Sequence, residues 1–251
     1  MNTKSVFRTD ASDASSTEAT RRGILVWDAP VRIFHWLMVL CFAGAYLTAE
    51  SESLRLVHVT LGYTMAGLVG VRLVWGVVGS RHARFSNFVR GPAAILRYLR
   101  SLISGHPERT VGHNPAGALA IIGLLGLTIL LVATGWANYN DIGGEELHEG
   151  VANAMLALVA IHVAGVLASS LLHRENLVGA MLHGRKTGAP AEGISRSWRA
   201  LAALLLAVVL GFWWWQWQAA PAAQRRERAA DVTHKDGDNN DRQALHATIR
   251  S

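Results

Sequence analysis

The sequence predicts an all-α integral membrane protein: a four-helix transmembrane bundle followed by a fifth transmembrane helix. Of its 251 residues 51% are apolar and 17% charged, and the apolar residues gather in blocks approaching the ~20 residues that cross a ~30 Å hydrocarbon core. Nine tryptophans, several near block ends, match the aromatic belt of a membrane protein. Histidines also lie within or beside these blocks at helical spacing, and an ionisable group in lipid needs a reason to be there.

Residues 1–23 are Ser-, Thr- and Asp-rich with no apolar run, and read as a flexible N-terminal tail. Arg21-Arg22 could be taken for a twin-arginine export signal. Trp27, Asp28, Pro30 and Arg32 follow too closely for a cleavable signal, so the first block stays in the mature chain. The first span covers about Ala29 to Ala49, with Pro30 tolerated in its first turn. The acidic connection Glu50-Ser51-Glu52-Ser53 leads to the second span, about Leu54 to Val78. The third runs from Pro115 to Ala137, the fourth from Leu147 to Leu172, and the fifth from Trp198 to Trp217. Between the second and third, Ile95, Leu96, Leu99, Leu102 and Ile103 recur at helical spacing beside Arg97 and Arg100, predicting a short amphipathic helix on the membrane surface. The organisation is then a tail (1–23), the bundle (24–185), a linker with the fifth helix (186–217) and a disordered C-terminal tail (218–251).

Charge sets the expected orientation. Arg81, Arg84, Arg90, Arg97, Arg100 and Arg109 lie between spans two and three against the single acid Glu108, and Arg174, Arg185, Lys186, Arg196 and Arg199 lie between four and five. The connection between three and four has Asp141, Glu145 and Glu146 and no Lys or Arg. Positive loops stay inside, so the expected topology is multi-pass with the N-terminus cytoplasmic. The six Lys and Arg residues of the C-terminal tail fit an outside location poorly. The net charge of +6 reflects these topology loops, not a nucleic-acid surface. One cysteine, Cys41, excludes an intramolecular disulfide framework, a CxxCH haem attachment and a cysteine-built iron–sulfur cluster.

His148 and His162 stand 14 residues apart on the fourth span, which puts them on one face about 21 Å apart along the axis. Two helices that each offer an imidazole can clamp a haem between them. His58, near the start of span two, lies level with His148, and His35, 15 residues before Glu50, lies level with His162. Two axial-ligand pairs follow: His35 with His162, and His58 with His148. His173 and His113 have no partner at matching depth and read as interfacial; His82, His106, His183, His234 and His246 read as solvated. Arg72, 14 residues after His58, reaches the level of the inner pair. Its planar guanidinium suits a haem propionate, with snorkelling to the interface as the alternative. Gly44, Gly62, Gly67, Gly70, Gly117, Gly123 and Gly126 permit close approach of a helix or a porphyrin, and small residues are also ordinary packing positions.

Val26-Trp27-Asp28-Ala29-Pro30-Val31-Arg32-Ile33-Phe34-His35-Trp36, His58-Val59-Thr60-Leu61-Gly62-Tyr63, Gly112-His113-Asn114-Pro115-Ala116-Gly117-Ala118, and Leu147-His148-Glu149 through His162 to His173-Arg174-Glu175-Asn176-Leu177 together resemble the bacterial cytochrome b561 and nickel–iron hydrogenase b-type cytochrome family. The resemblance covers about residues 24–185. It implies a four-helix bundle with two non-covalent haems b, ligated from spans one, two and four. It also implies an electron-transfer role between the quinone pool and a periplasmic or membrane redox partner, such as a cytochrome c or a dehydrogenase or hydrogenase subunit. A homodimer is left open, and the fifth helix departs from the four-helix members. Two rival functions are a self-contained quinone-linked oxidoreductase, with His113 or Glu149 as proton carrier, and a transporter using the intramembrane histidines as a proton or metal relay. No repeat between the two halves supports the transporter.

Overall fold

The computed structural model describes residues 22–89, 91–104 and 111–220. The terminal tails up to residue 21 and from residue 221, together with Arg90, His106, Glu108, Arg109, His234 and His246, lie outside the described residues. Five helices are long and apolar enough to cross a membrane. They are α1 (Ala29–Thr48), α2 (Arg55–Val78, entered by a 3₁₀ turn at Glu52–Leu54), α5 (Pro115–Tyr139), α6 (Glu145–His173) and α8 (Arg199–Ala220). Between α2 and α5 lie α3 (Phe85–Phe88) and the amphipathic α4 (Pro92–Ile103); α7 (Leu177–His183) follows α6. The side chains of Ile95, Leu99, Leu102 and Ile103 on α4 are not among those described. The chain divides into two compact units at Leu205–Leu206. The first carries the four-span bundle.

Local chemistry starts these helices where the sequence suggests. Asp28 caps α1, its carboxylate accepting from the Val31 amide at 2.9 Å, with Pro30 in the first turn. Asn114 caps α5 in the same way, accepting from Gly117 N at 2.6 Å ahead of Pro115. Glu145 and Glu146 sit at the positive end of the α6 dipole. Asn114 also donates to the Tyr98 hydroxyl at 2.8 Å, and Tyr98 is fully buried, so α4 is pinned to the head of α5.

Packing runs in chain order: α1 against α2, α2 against α5, and α5 against α6. Small residues set two of these contacts. A Cβ on Gly44 would lie 2.7 Å from Leu61 Cδ1 of α2, and one on Gly123 would lie 3.0 Å from Leu158 Cδ2 of α6. Gly62, Gly67, Gly70 and Gly126 instead face open space, and Gly117 meets only its own capping residue, Asn114. Helix α6 makes little direct contact with α1 or α2, and only 6% of its apolar window is buried.

One end of the bundle carries a feature that hydropathy does not announce. Strand β1 (Arg22–Leu25) pairs antiparallel with β2 (Arg185–Gly188), in register Arg22 with Gly188 through Leu25 with Arg185. It takes in Arg22 and Gly23, which the sequence reading assigns to the tail. The Val26 and Trp27 amides both donate to the Gly184 carbonyl, Ile194 N to Leu25 O, and Ala29 N to Ser197 O. Ile24, Val26, Trp27 and Ala180 form a small core there. Lys186, 8% exposed, pairs with Glu175 at 3.0 Å. The chain before α1 and the chain after α6 are thus stitched together at what is here termed the sheet end.

Candidate functional site

At the end opposite the sheet, α2 and α6 bring His58 and His148 together, their ring centroids 6.2 Å apart and their planes at 82°. His58 Nδ1 lies 2.9 Å from the Ala45 carbonyl in the last turn of α1. A carbonyl only accepts, so Nδ1 carries the proton and Nε2 keeps a free lone pair. His148 Nδ1 lies 3.1 Å from Thr134 Oγ1 on α5. A Cβ added to Gly135 would stand 2.9 Å from His148 Cε1, so glycine there makes room for the ring. Neither Thr134 nor Gly135 ionises, and the search for intramembrane charge passes over both.

Toward the sheet end the site is built differently. His35 on α1 and His162 on α6 are close enough to interact electrostatically. His35 Nδ1 is buried without a hydrogen-bond partner, as are Arg72 Nη1 and Arg32 Nε. Arg72 is only 4% exposed, with its guanidinium 4.7 Å above the Phe85 ring. That burial overturns snorkelling. The Asp28 carboxylate interacts with the Arg72 charge, and Nη1, which still lacks an acceptor, suits a further anionic group. Gly76 clears the way for Phe85, since a Cβ there would collide with that ring.

Two histidines behave differently from expectation. His113 is packed between Trp27, at 4.4 Å between centroids, and Phe88, at 4.8 Å, instead of lying free at an interface. Burial first, then the positive fields of Arg72, His82, Lys186 and His162, hold its pKa down at about 3. His82, expected to be solvated, is partly buried, its Nε2 2.8 Å from the Glu192 carbonyl and its ring edge-on to Trp27. Both positions look polar in sequence; aromatic residues distant in the chain cover them. His173 stays partly exposed at the end of α6, and His183 is exposed.

Among the described residues no three His, Cys, Asp or Glu side chains gather to hold a metal ion. Two imidazoles on one iron, each bonded at about 2 Å with its ring centre ~1.1 Å beyond the nitrogen, stand about 6 Å apart. The His58–His148 spacing of 6.2 Å fits that demand.

The family model of prokaryotic cytochrome b561 matches residues 26–184. Among curated proteins, the chain is similar to the probable Ni/Fe-hydrogenase B-type cytochrome subunit of Rhodobacter capsulatus, at 23% identity over 219 residues, 66% of this chain and 82% of that one. It is similar to the subunit of the same name in Rhizobium leguminosarum bv. viciae, at 22% over 232 residues, 72% and 96% of the two chains. It is also similar to the probable Ni/Fe-hydrogenase 1 B-type cytochrome subunit of Escherichia coli K12, at 28% over 142 residues, 46% and 60% of the two chains. No solved structure shows a significant match. The matched segment begins one residue before Trp27 and ends at the glycine that closes α7, so it takes in the whole four-span bundle and all four facing histidines. The chain belongs to the prokaryotic cytochrome b561 family and is a multi-pass bacterial membrane b-type cytochrome, with haem b as its cofactor and electron transfer as its work.

Proposed function

We propose that the chain carries two haems b, one held by His35 and His162 and the other by His58 and His148, and passes electrons across the bilayer between the quinone pool and a redox partner. The observation that carries this reading is the His58–His148 pair: two rings 6.2 Å apart, each with Nδ1 at hydrogen-bond distance from an oxygen of α1 or α5. When bound, each haem supplies a reversible one-electron iron couple. The protein's part is to fix ligand orientation, burial and local charge. His148 and His162, 14 residues apart on α6, set the two sites about 21 Å apart along the membrane normal. Arg72, with Nη1 unsatisfied, is suited to a propionate of the haem at the sheet end. The bundle of residues 24–185 is the redox unit in this reading, and the fifth span is an addition to it.

The named relatives are hydrogenase cytochrome subunits, and a hydrogenase is accordingly the first candidate for the partner. A cytochrome c or another dehydrogenase subunit serves the same chemistry. The arginine-rich sheet end faces the cytoplasm by the positive-inside rule, which sets His58 and His148 toward the periplasm.

The test is haem per polypeptide, by pyridine haemochrome, on chain purified in mild detergent. Wild type should carry two haems, and His148→Ala and His162→Ala one each. Unchanged haem content and unchanged reduced-minus-oxidised spectra in both variants would overturn the ligand assignment.

A further inference from the structure

The third span brings no histidine to either pair, yet it touches the ring of one. Thr134 is 8% exposed, and its hydroxyl is already spent: Oγ1 lies 2.9 Å from the Leu130 carbonyl and 3.1 Å from the Leu131 carbonyl, one turn back on α5. A hydroxyl has one proton, and here two carbonyls compete for it. With His148 ligating through Nε2, Nδ1 keeps the proton and donates to this oxygen, 3.1 Å away, with the Leu131 carbonyl as a second acceptor for the ring. Gly135, the next residue, offers the notch into which the ring edge fits, since any Cβ would stand 2.9 Å from Cε1 and 3.3 Å from Nδ1.

We infer that Thr134 and Gly135 of α5 form the seat that holds the His148 imidazole in its Nδ1–H tautomer and fixes its ring plane. They are positioning residues that act through the ligand, and the inference rests on the proposal that His148 ligates a haem. A hydrogen bond from Nδ1–H to an acceptor makes the imidazole a stronger electron donor and favours the oxidised iron. The His35 ring, whose Nδ1 is buried without a partner, has no such support. The two haem sites are tuned differently for that reason.

The test is a redox titration of the purified, haem-loaded full chain, followed optically and by low-temperature EPR. Thr134→Val should keep both haems and move the midpoint of one haem positive. The expected change is about tenfold in its oxidised-to-reduced ratio, ~59 mV for one electron. Thr134→Ser should restore it. Gly135→Ala should change the low-spin EPR g-value of the same haem, because that value follows ligand-plane orientation. Two unchanged midpoints in Thr134→Val, or equal shifts in both, would overturn the seat. His148→Ala separates the two claims: if it keeps both haems, the ligand assignment fails. If it loses one while Thr134→Val and Gly135→Ala leave that haem untouched, only the seat fails.

Discussion

Asp28 gathers three donors on one carboxylate. It is fully buried and accepts from Val31 N, from Trp75 Nε1 at 3.0 Å and from Ser80 Oγ, so the head of α1 and the tail of α2 are tied at one point. Removing it takes away a helix cap and leaves the indole N–H and the serine hydroxyl unsatisfied. Asp28→Ala should cost roughly 2–4 kcal/mol, read as a lower temperature for loss of the Soret band in detergent. An unchanged midpoint would show that the network carries no net stability. His113 makes a second prediction, one of pH. Its folded pKa of about 3 lies below the unfolded value of 6.5, so between these limits the unfolded chain binds a proton that the folded chain refuses. The contribution of neutral His113 to stability is whole above pH 6.5 and falls as pH drops toward 3. His113→Phe, which keeps a ring between Trp27 and Phe88, should flatten the decline of the thermal midpoint between pH 6.5 and pH 4. A decline as steep as that of wild type would place the acid sensitivity elsewhere.

At the scale of elements, the sheet that closes one end depends on a single left-handed turn. Gly184 has φ +80°, and a Cβ there would lie 2.5 Å from the Trp27 carbonyl. Gly184→Ala should destabilise the β1–β2 closure by about 1–3 kcal/mol, seen as faster protease cleavage between residues 185 and 196 while haem content holds. The spans themselves were legible to within about two residues, because lipid forces every crossing segment to be long, apolar and helical. The facing of His58 and His148 was legible too, since helices are stiff rods whose rotation and rise can be counted. The sheet was not: RGIL and RKTG are four residues each, too short for an alternating signal, and they pair across more than 150 residues of chain. His82 and His113 were misjudged because their neighbours in sequence are polar while their neighbours in space, Trp27 and Phe88, are not. Thr134 and Gly135 carry no charge that marks them in the sequence, and their relation to His148 appears only once α5 and α6 are packed.

For the whole molecule, the separation of charge decides how the two pairs stand in the membrane. Arg81, Arg84, Arg174, Arg185, Lys186 and Arg196 gather at the sheet end, and Glu50, Glu52, Asp141, Glu145 and Glu146 at the other. Arginine-rich connections are retained in the cytoplasm, and the orientation proposed on that rule has His35 and His162 inside and His58 and His148 outside. The orientation matters energetically, since carrying one charge across the whole bilayer against 100 mV costs ~2.3 kcal/mol and two sites about 21 Å apart span most of that field. In the proposed two-haem arrangement, electron flow through the chain is therefore sensitive to membrane potential. Cysteine labelling in spheroplasts tests this, in a Cys41→Ser background that removes the single native thiol. Glu146→Cys and Ser195→Cys both alter exposed positions, one at each end. A membrane-impermeant maleimide should label Glu146→Cys in intact spheroplasts and Ser195→Cys only after permeabilisation. The reverse pattern would invert the molecule, put the His58–His148 pair on the cytoplasmic side, and require the partner to dock on the arginine-rich face.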